Sequence, residues 1–255
     1  MSEYGEVRSV QADINYLAPG SPINRRFVAP GAEVNTGTYE LHRMQVRDGR
    51  SISEQFHLDT HGFAIAGHKS AVRDFLDTKV VDAVYADEVV ETVRRLTGAD
   101  LVAKRGWMVR SAGEKGYTRF IASSLWRTFS PPPQDWPLAL CDGSTVAADD
   151  GTTNALIIVD AIPDRATMLG DWPGEEVAIK ATIFRHNPNH SWWYFSNMHR
   201  DEVILLKFHD SDRNSVLRVP HTAFHDRSFH DVRPRQSIEF RTFAYFRQRS
   251  LRRRE

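Results

Sequence analysis

Two stretches near the C-terminus, Val203-Ile204-Leu205-Leu206-Lys207-Phe208-His209 and Ser237-Ile238-Glu239-Phe240-Arg241-Thr242-Phe243-Ala244-Tyr245-Phe246, decide the fold. Both are rich in β-branched and aromatic residues, which favour strands. Strands are also predicted at residues 120–128, 138–140, 155–159, 177–185, 192–196 and 216–224. Turn-rich pieces such as Pro131-Pro132-Pro133 separate them. Eight strands in this half predict a double-sheet jelly roll.

The N-terminal half predicts flanking helices. Ser70 can cap a short helix that carries Val72, Phe75 and Leu76. A longer helix is predicted from Asp82 to Leu96, with Gly98 as its stop. The first sixty residues alternate short apolar pieces with Pro and Gly, which indicates extended arms and edge strands. The fold class is therefore mainly β with flanking helices.

We expect one domain over residues 1–255. It divides into an N-terminal arm with helices (1–110), a jelly-roll core (117–246) and a basic tail (247–255).

The 33 basic and 33 acidic residues cancel, which argues against a nucleic-acid or membrane partner. The single cysteine, Cys141, excludes an intramolecular disulfide. No signal peptide or membrane span is recognised, so a cytoplasmic protein is expected. The sequence leaves a homodimer open.

Six local strings carry a resemblance to a known family. They are Pro137–Asp142, Trp192–Met198, Asp201–Lys207, His209–Ser211, Pro220–Phe224 and Arg235–Arg241. Upstream, Asp59–Phe63, Thr97–Ala99 and the pair Trp126-Arg127 fit the same pattern. In this order the strings resemble the hydroxylase/desaturase family of non-haem Fe(II)/2-oxoglutarate oxygenases, whose members act in natural-product biosynthesis.

The resemblance implies a double-stranded β-helix of the cupin-like, jelly-roll type. It also implies iron held by a His-x-Asp and a distal His, with an Arg that binds the 2-oxoglutarate carboxylate. His221 matches the distal His, and Arg241 matches the oxoacid-binding Arg. Arg241 alternates with Glu239, Phe243 and Tyr245 on one face of the last predicted strand. That face is predicted to line the pocket.

The chain departs from the family where the His-x-Asp is expected, between Arg110 and Phe120. Only residues 111–119 join these two positions, and they contain neither His nor Asp. The stretch is typical of a tight turn, so two of the three metal ligands are predicted to be missing. The pairs His57/Asp59 and His199/Asp201 have the right spacing but the wrong context. Whether His57 and Asp59 substitute for the missing ligands is left open.

The candidate site residues follow from these strings. His221, Arg241 and Lys207 are the predicted catalytic residues. The predicted substrate-binding residues are Trp126, Arg127, Asp142, Trp193, Tyr194, Glu239, Phe243 and Tyr245. His221 can equally be a hydrogen-bonded core residue. Arg241 is costly in an apolar strand unless it is paired or used, and Glu239 on the same face is expected to pair with it poorly.

Three functions remain in consideration. The first is a metal-independent enzyme without a cofactor, such as a cyclase of pericyclic type (Diels–Alder or hetero-Diels–Alder), an isomerase or a dehydratase. It would act on a hydrophobic natural-product intermediate through orientation and hydrogen bonding. The second is an Fe(II)/2-oxoglutarate-dependent hydroxylase/desaturase with an atypical metal site. The third is a non-catalytic pseudo-oxygenase that binds a substrate or a pathway partner.

Overall fold

The computed structural model describes residues 7–104 and 116–247. The strands are β1 (Ser9–Leu17), β2 (Arg25–Ala29), β3 (Ala32–Asn35), β4 (Tyr39–Asp48), β5 (Phe63–Gly67), β6 (Leu101–Lys104), β7 (Tyr117–Thr128), β8 (Leu138–Cys141), β9 (Gly151–Ile158), β10 (Ile179–Phe184), β11 (Trp192–Tyr194), β12 (Glu202–Asp210), β13 (His221–Ala223) and β14 (Ser237–Arg247). The helices are α1 (Thr78–Val80), α2 (Ala86–Thr97) and α3 (Arg165–Leu169); a π-helical turn, Val81–Tyr85, joins the first two. The protein is mainly β, as predicted.

The chain forms two compact units. Of the described residues, the first contains 7–10, 46–104, 116–144 and 192–247, and the second contains 11–45 and 145–191. In the first unit, one sheet has the order β5-β12-β7-β14-β6. A second sheet pairs β13 with β8, β8 with β11, and β11 with residues 46–48 of β4. These two sheets form the jelly roll.

Helix α2 covers the outer face of the five-stranded sheet. Tyr85, Val89 and Val93 are fully buried there and pack with Leu125 of β7 and Leu205 of β12. Gly98 ends the helix in the left-handed region at φ 68°, a conformation that glycine adopts without steric cost. The predicted helix from Asp82 to Leu96 is confirmed and begins one turn earlier, because the Asp77 carboxylate caps Lys79 and Val80.

The inner face of the same sheet packs against the second sheet. Phe63, Trp126 and Leu206 come from the five-stranded sheet, and Leu140 and Trp193 come from the opposing one. Side chains alternate between the two faces of a strand. Leu125 and Phe240 therefore face the helix, whereas Trp126 and Glu239, which are paired across β7 and β14, lie on the opposite face of the sheet. Trp126 belongs to the inner core there, and Glu239 is exposed.

Three local expectations were wrong. The helix predicted at Ser70 is a turn, because the Ser70 hydroxyl donates to Glu88 and accepts from the Val72 amide. The strand predicted over 216–224 is limited to His221–Ala223, because the preceding residues bond to Asp59 and Lys207. Strand β6 was not predicted, and Arg247, assigned to the tail, ends β14. None of the helices in the described part of the chain has the length and apolarity that crossing a bilayer requires.

The second unit is built on a four-stranded sheet of order β10-β9-β2-β3. Phe27, Ala155, Ile157 and Met168 form its apolar core. Arg25 is buried beside them; its guanidinium donates to the carbonyls of Met168 and Gly170 and forms an ion pair with Glu175.

Histidines and a tyrosine form a polar network in this second unit. His190 is enclosed, with Nδ1 3.0 Å from the Tyr16 hydroxyl and Nε2 3.0 Å from Asp150 Oδ2. His42 and His186 stack with ring centroids 3.9 Å apart. Burial lowers the pKa of His190 although Asp150 opposes the shift. Burial and the nearby His42 and His190 lower the pKa of His186.

These shifts predict that the second unit loses stability in mild acid. A histidine with a lowered folded pKa binds protons more readily in the unfolded chain, so stability falls as pH drops below about 6.5. The enclosed His190 contributes up to about 1.4 kcal/mol per pH unit. The prediction can be tested by urea unfolding between pH 7 and 5 of protein labelled with 5-fluorotryptophan. Because Trp172 is the one tryptophan of the second unit, its fluorine signal reports the unfolding of that unit.

The matched comparison is His190→Gln against His225→Gln, an exposed histidine of the first unit. We expect His190→Gln to reduce the pH dependence of the free energy of unfolding that Trp172 reports. His225→Gln should leave that pH dependence unchanged. Equal slopes in both variants would contradict this assignment.

Candidate active site

His221 lies on β13 and is exposed. Its Nδ1 is 2.9 Å from the carbonyl of Val219, a contact that it makes as a donor. That tautomer leaves Nε2 as the free acceptor, the form in which an imidazole binds a metal. Burial raises the pKa of Glu239, but the hydrogen bond from Arg241 and the nearby charge of Arg241 lower it overall.

Arg241 is paired with Glu239. The Arg241 Nε lies 2.8 Å from Glu239 Oε1, and the guanidinium is 5.3 Å from the centre of the Phe208 ring. The expectation that these same-face neighbours would pair poorly was wrong. Residues two apart in a strand are about 7 Å apart, which two long, partly exposed side chains can span. The cationic charge of Arg241 is thus balanced within its own strand.

Arg235 is a site residue that the sequence analysis missed. Its guanidinium lies 5.4 Å from the centre of the Trp126 ring, and Nη1 donates to the Trp136 carbonyl. Its buried Nε has no hydrogen-bond partner among the described residues. Burial lowers the pKa of Arg235, with Asp135 opposing the shift. An enclosed guanidinium nitrogen without a partner is a donor that an anionic group can use.

The only sequence signal for Arg235 was its place at the start of the string Arg235–Arg241. Arg241 was the stronger candidate for an anion-binding residue, because it lies inside a predicted strand, where an unpaired charge is costly. The pairing of Arg241 with Glu239 depends on side-chain conformation, which the sequence pattern does not give.

Lys207 lies in a buried ionic network rather than beside His221. Its side chain is 0% exposed, and its Nζ is 2.5 Å from Asp210 Oδ2 and 2.6 Å from Ser215 Oγ. Arg119 binds both Asp210 and Asp59 at 2.6 Å. Burial raises the pKa of Asp210, but the hydrogen bonds from Arg119 and Lys207 outweigh it and lower that pKa to about 2. These contacts stabilise the fold; the predicted catalytic role of Lys207 stays a prediction.

Trp126 and Arg127 point to opposite faces of β7. Trp126 belongs to the inner core. Arg127 is fully buried on the helix side, where it donates to the Tyr85 hydroxyl at 3.1 Å and to the Arg200 carbonyl at 2.9 Å. Arg127 therefore fixes the helix to the sheet and does not join Trp126.

The other predicted binding residues are spread over the first unit. Trp193 is in the inner core, whereas the neighbouring Tyr194 packs edge-on against Phe224. Asp142 accepts hydrogen bonds from the Ser144 amide and hydroxyl. Tyr245 is buried beside Tyr117, and Phe243 is partly buried opposite Ala122. The observed contacts thus join Glu239 with Arg241, pair Glu239 with Trp126 across β7 and β14, and set Arg235 against Trp126, whereas His221 lies on β13 of the opposing sheet.

A complete iron site is not formed by the described residues. No group of three His, Cys, Asp or Glu side chains among them is arranged to hold a metal ion, including the pairs at His57 and His199. Asp59 is instead bound by Arg119 and Lys207. Residues 111–115 of the predicted turn lie outside the described residues, and residues 117–119 belong to β7. Among the described residues the matched donor set is one imidazole, that of His221, which does not satisfy a facial site of two His and one carboxylate.

Relatives of the chain carry names that fit the resemblance. The hydroxylase/desaturase efuI of Hormonema carpetanum is 27% identical, covering 93% of this chain and 95% of its own. The Fe(II)/2-oxoglutarate-dependent dioxygenase nvfI of Aspergillus novofumigatus is 27% identical, covering 85% and 87%. The first alignment runs over 297 positions, more than the 255 residues of this chain, so that relative has segments without a counterpart here. The resemblance to the hydroxylase/desaturase family is confirmed.

Solved structures support the same fold. The iron and alpha-ketoglutarate-dependent endoperoxidase NvfI matches with a TM-score of 0.75 and 22% identity, covering 94% of this chain and 99% of that chain. Another structure of NvfI matches with a TM-score of 0.73 and 24% identity. At these identities the likeness shows the fold alone, and it confirms the predicted jelly roll.

The expectation that the protein works without a cofactor is contradicted. A relative of nearly the whole chain is named as Fe(II)/2-oxoglutarate-dependent, another is named as alpha-ketoglutarate-dependent, and the matching solved structures are of an iron-dependent enzyme. The prediction gave too much weight to the missing His-x-Asp, because one deleted segment says little about the rest of the pocket.

A family model also covers the chain. Two overlapping stretches, residues 14–119 and 105–245, match the model described as Oxidoreductase/YMDC permease-like domain. Together they include nearly all of the 255 residues. The chain therefore belongs to the family described as Oxidoreductase/YMDC permease-like domain.

Proposed function

We propose that this protein is an oxidoreductase of the Fe(II)/2-oxoglutarate type with an atypical metal site, acting on a hydrophobic natural-product intermediate. The proposal rests chiefly on Arg235, a half-buried residue whose enclosed Nε has no partner among the described residues and whose guanidinium lies over the Trp126 ring of the inner core. Such a group suits the distal carboxylate of an oxoacid. The names of the relatives support the same co-substrate.

The metal site is the atypical part of this proposal. His221 is the one described residue that both matches a family ligand position and presents a free imidazole nitrogen. The segments outside the described residues contain no His, Asp or Cys, so the chain has only Glu carboxylates to add from them. Because this set does not complete the site, no chemical step is assigned to the metal. Two roles follow for the protein itself: His221 holds the metal weakly, and Arg235 orients the oxoacid.

Binding measured without oxygen tests both roles. We expect the wild-type protein to bind Fe(II) and 2-oxoglutarate together, as measured by equilibrium dialysis. His221→Ala should abolish the retention of iron. Arg235→Met should weaken 2-oxoglutarate binding by about 30-fold or more, because a buried charge loses its partner.

Arg241→Met is the matched control. Arg241 is paired with Glu239 and half exposed, so this substitution should change 2-oxoglutarate binding less than about threefold. A large loss in Arg241→Met with none in Arg235→Met would reverse the assignment in favour of the earlier prediction. A wild-type protein that binds neither iron nor 2-oxoglutarate would overturn the proposed function.

A further inference from the structure

Trp136 and His225 form an exposed aromatic pair in the first unit. Their ring centroids are 5.0 Å apart with an angle of 21° between the planes, and Trp136 is 46% exposed. An exposed indole offers an aromatic surface on which the ring of another molecule can stack. The pair is called the Trp136–His225 platform below.

The backbone around the platform is held firmly. The amide of Trp136 donates to Asp135 Oδ1 at 2.8 Å, and its carbonyl accepts from Arg235 Nη1 at 2.5 Å. The amide of Phe224 donates to the Pro137 carbonyl, and that of Asp226 donates to the Asp135 carbonyl. Hydrogen bonds therefore fix the backbone that carries the exposed indole. One of them comes from Arg235, the residue proposed to bind the oxoacid.

The platform also continues the ladder that carries His221. Strands β13 and β8 pair His221 with Leu140 and Ala223 with Leu138, and the bond from Phe224 to Pro137 extends this pairing. In extended chain, residues 221, 223 and 225 lie on one face, whereas Phe224 is buried on the other. The Cα atoms of His221 and His225 are at most about 14 Å apart. A molecule of a few fused rings spans that distance.

We propose that the Trp136–His225 platform binds a flat, conjugated ring system of the organic substrate and so sets which substrates reach His221. This inference rests on the proposed function, which places the reacting end of the site at His221. Stacking on an indole selects planar groups, because the ring faces make close contact only with a flat partner. A bulky, non-planar molecule of similar size gains no such contact.

Binding of two neutral probes to metal-free protein tests the platform. The probes are 2-naphthol, which is flat, and 1-adamantanol, which is compact and non-planar. We expect Trp136→Ala to weaken 2-naphthol binding about tenfold and to leave 1-adamantanol binding unchanged, as measured by saturation-transfer NMR titration. Trp136→Phe should retain most of the affinity, and His225→Ala should give an intermediate loss.

Leu217→Ala is the matched control, since Leu217 is a similarly exposed apolar residue of the same unit at 42% exposure. It should bind 2-naphthol as the wild type does. Unchanged 2-naphthol binding in Trp136→Ala, or an equal loss for both probes, would overturn the inference. A different molar mass in solution for Trp136→Ala than for the wild type would also overturn it, because the Trp136 ring would then form a contact between copies of the protein. Because the assay contains no iron or 2-oxoglutarate, its failure is separate from failure of the proposed function.

Discussion

Replacing Asp210 with Asn should lower the free energy of unfolding by about 3–5 kcal/mol. The Asp210 carboxylate is 0% exposed and accepts hydrogen bonds from Arg119, Lys207 and the Asp212 amide. Neutralising it leaves the Lys207 ammonium, also 0% exposed, with only the more distant Asp59 as an ionic partner at 3.3 Å. Urea unfolding followed by circular dichroism measures the loss.

Asp87→Asn provides the control for this substitution. Asp87 forms an ion pair with Lys104 at 2.6 Å in the same unit, but its side chain is 75% exposed. We expect a cost of no more than about 1 kcal/mol, because exposed ion pairs contribute little. Similar losses in the two variants would show that the Lys207 network contributes no more to stability than a surface pair.

The sign of the pH dependence gives a second check on Asp210. Its folded pKa of about 2 lies below the ordinary value of 3.8, so the ionised carboxylate favours the folded state. This contribution is complete above pH 3.8 and is lost as the pH falls through about 2. The wild type should therefore lose stability over that window more steeply than Asp210→Asn.

Alternation and helical spacing were sufficient to predict most of the first unit. The stripe of Tyr85, Val89 and Val93 predicted the covering helix, and the apolar pattern of β12 and β14 predicted the central strands. Strand β6 was missed because its four residues have no alternation to recognise, and its pairing with β14 is a long-range contact. The single-domain prediction remains an expectation beside the two compact units.

The site was harder to predict than the fold, because charged residues in strands look alike in sequence. Lys207 and Arg127 were taken as pocket residues, although one is held by Asp210 and the other by Tyr85. Strand alternation places Arg241 on the same face of β14 as Glu239, the partner of Trp126, but it does not show which of the cationic side chains lacks a partner. Arg235 became visible only through its unsatisfied Nε and its contact with Trp126.

Restoring the missing segment should convert the weak metal site proposed at His221 into a strong one. Inserting between Arg110 and Phe120 the His-x-Asp segment of a related hydroxylase/desaturase would supply the two ligands that the family places there. We expect the affinity for Fe(II) to rise about 100-fold or more, since even a residue outside the ligand set changes metal affinity by about 10- to 100-fold. The gain arises because three ligands fix the coordination geometry that one imidazole cannot.

Two controls make this restoration specific. A scrambled segment of equal length separates the added ligands from the effect of inserting residues, and it should give no gain. Combining the insertion with His221→Ala should remove most of the gain, because the new ligands need His221 as the third. If the insertion strengthens iron binding equally with and without His221, His221 is not a ligand of the metal. If it does so only with His221, the scaffold has kept the geometry of an iron site after losing two of its ligands.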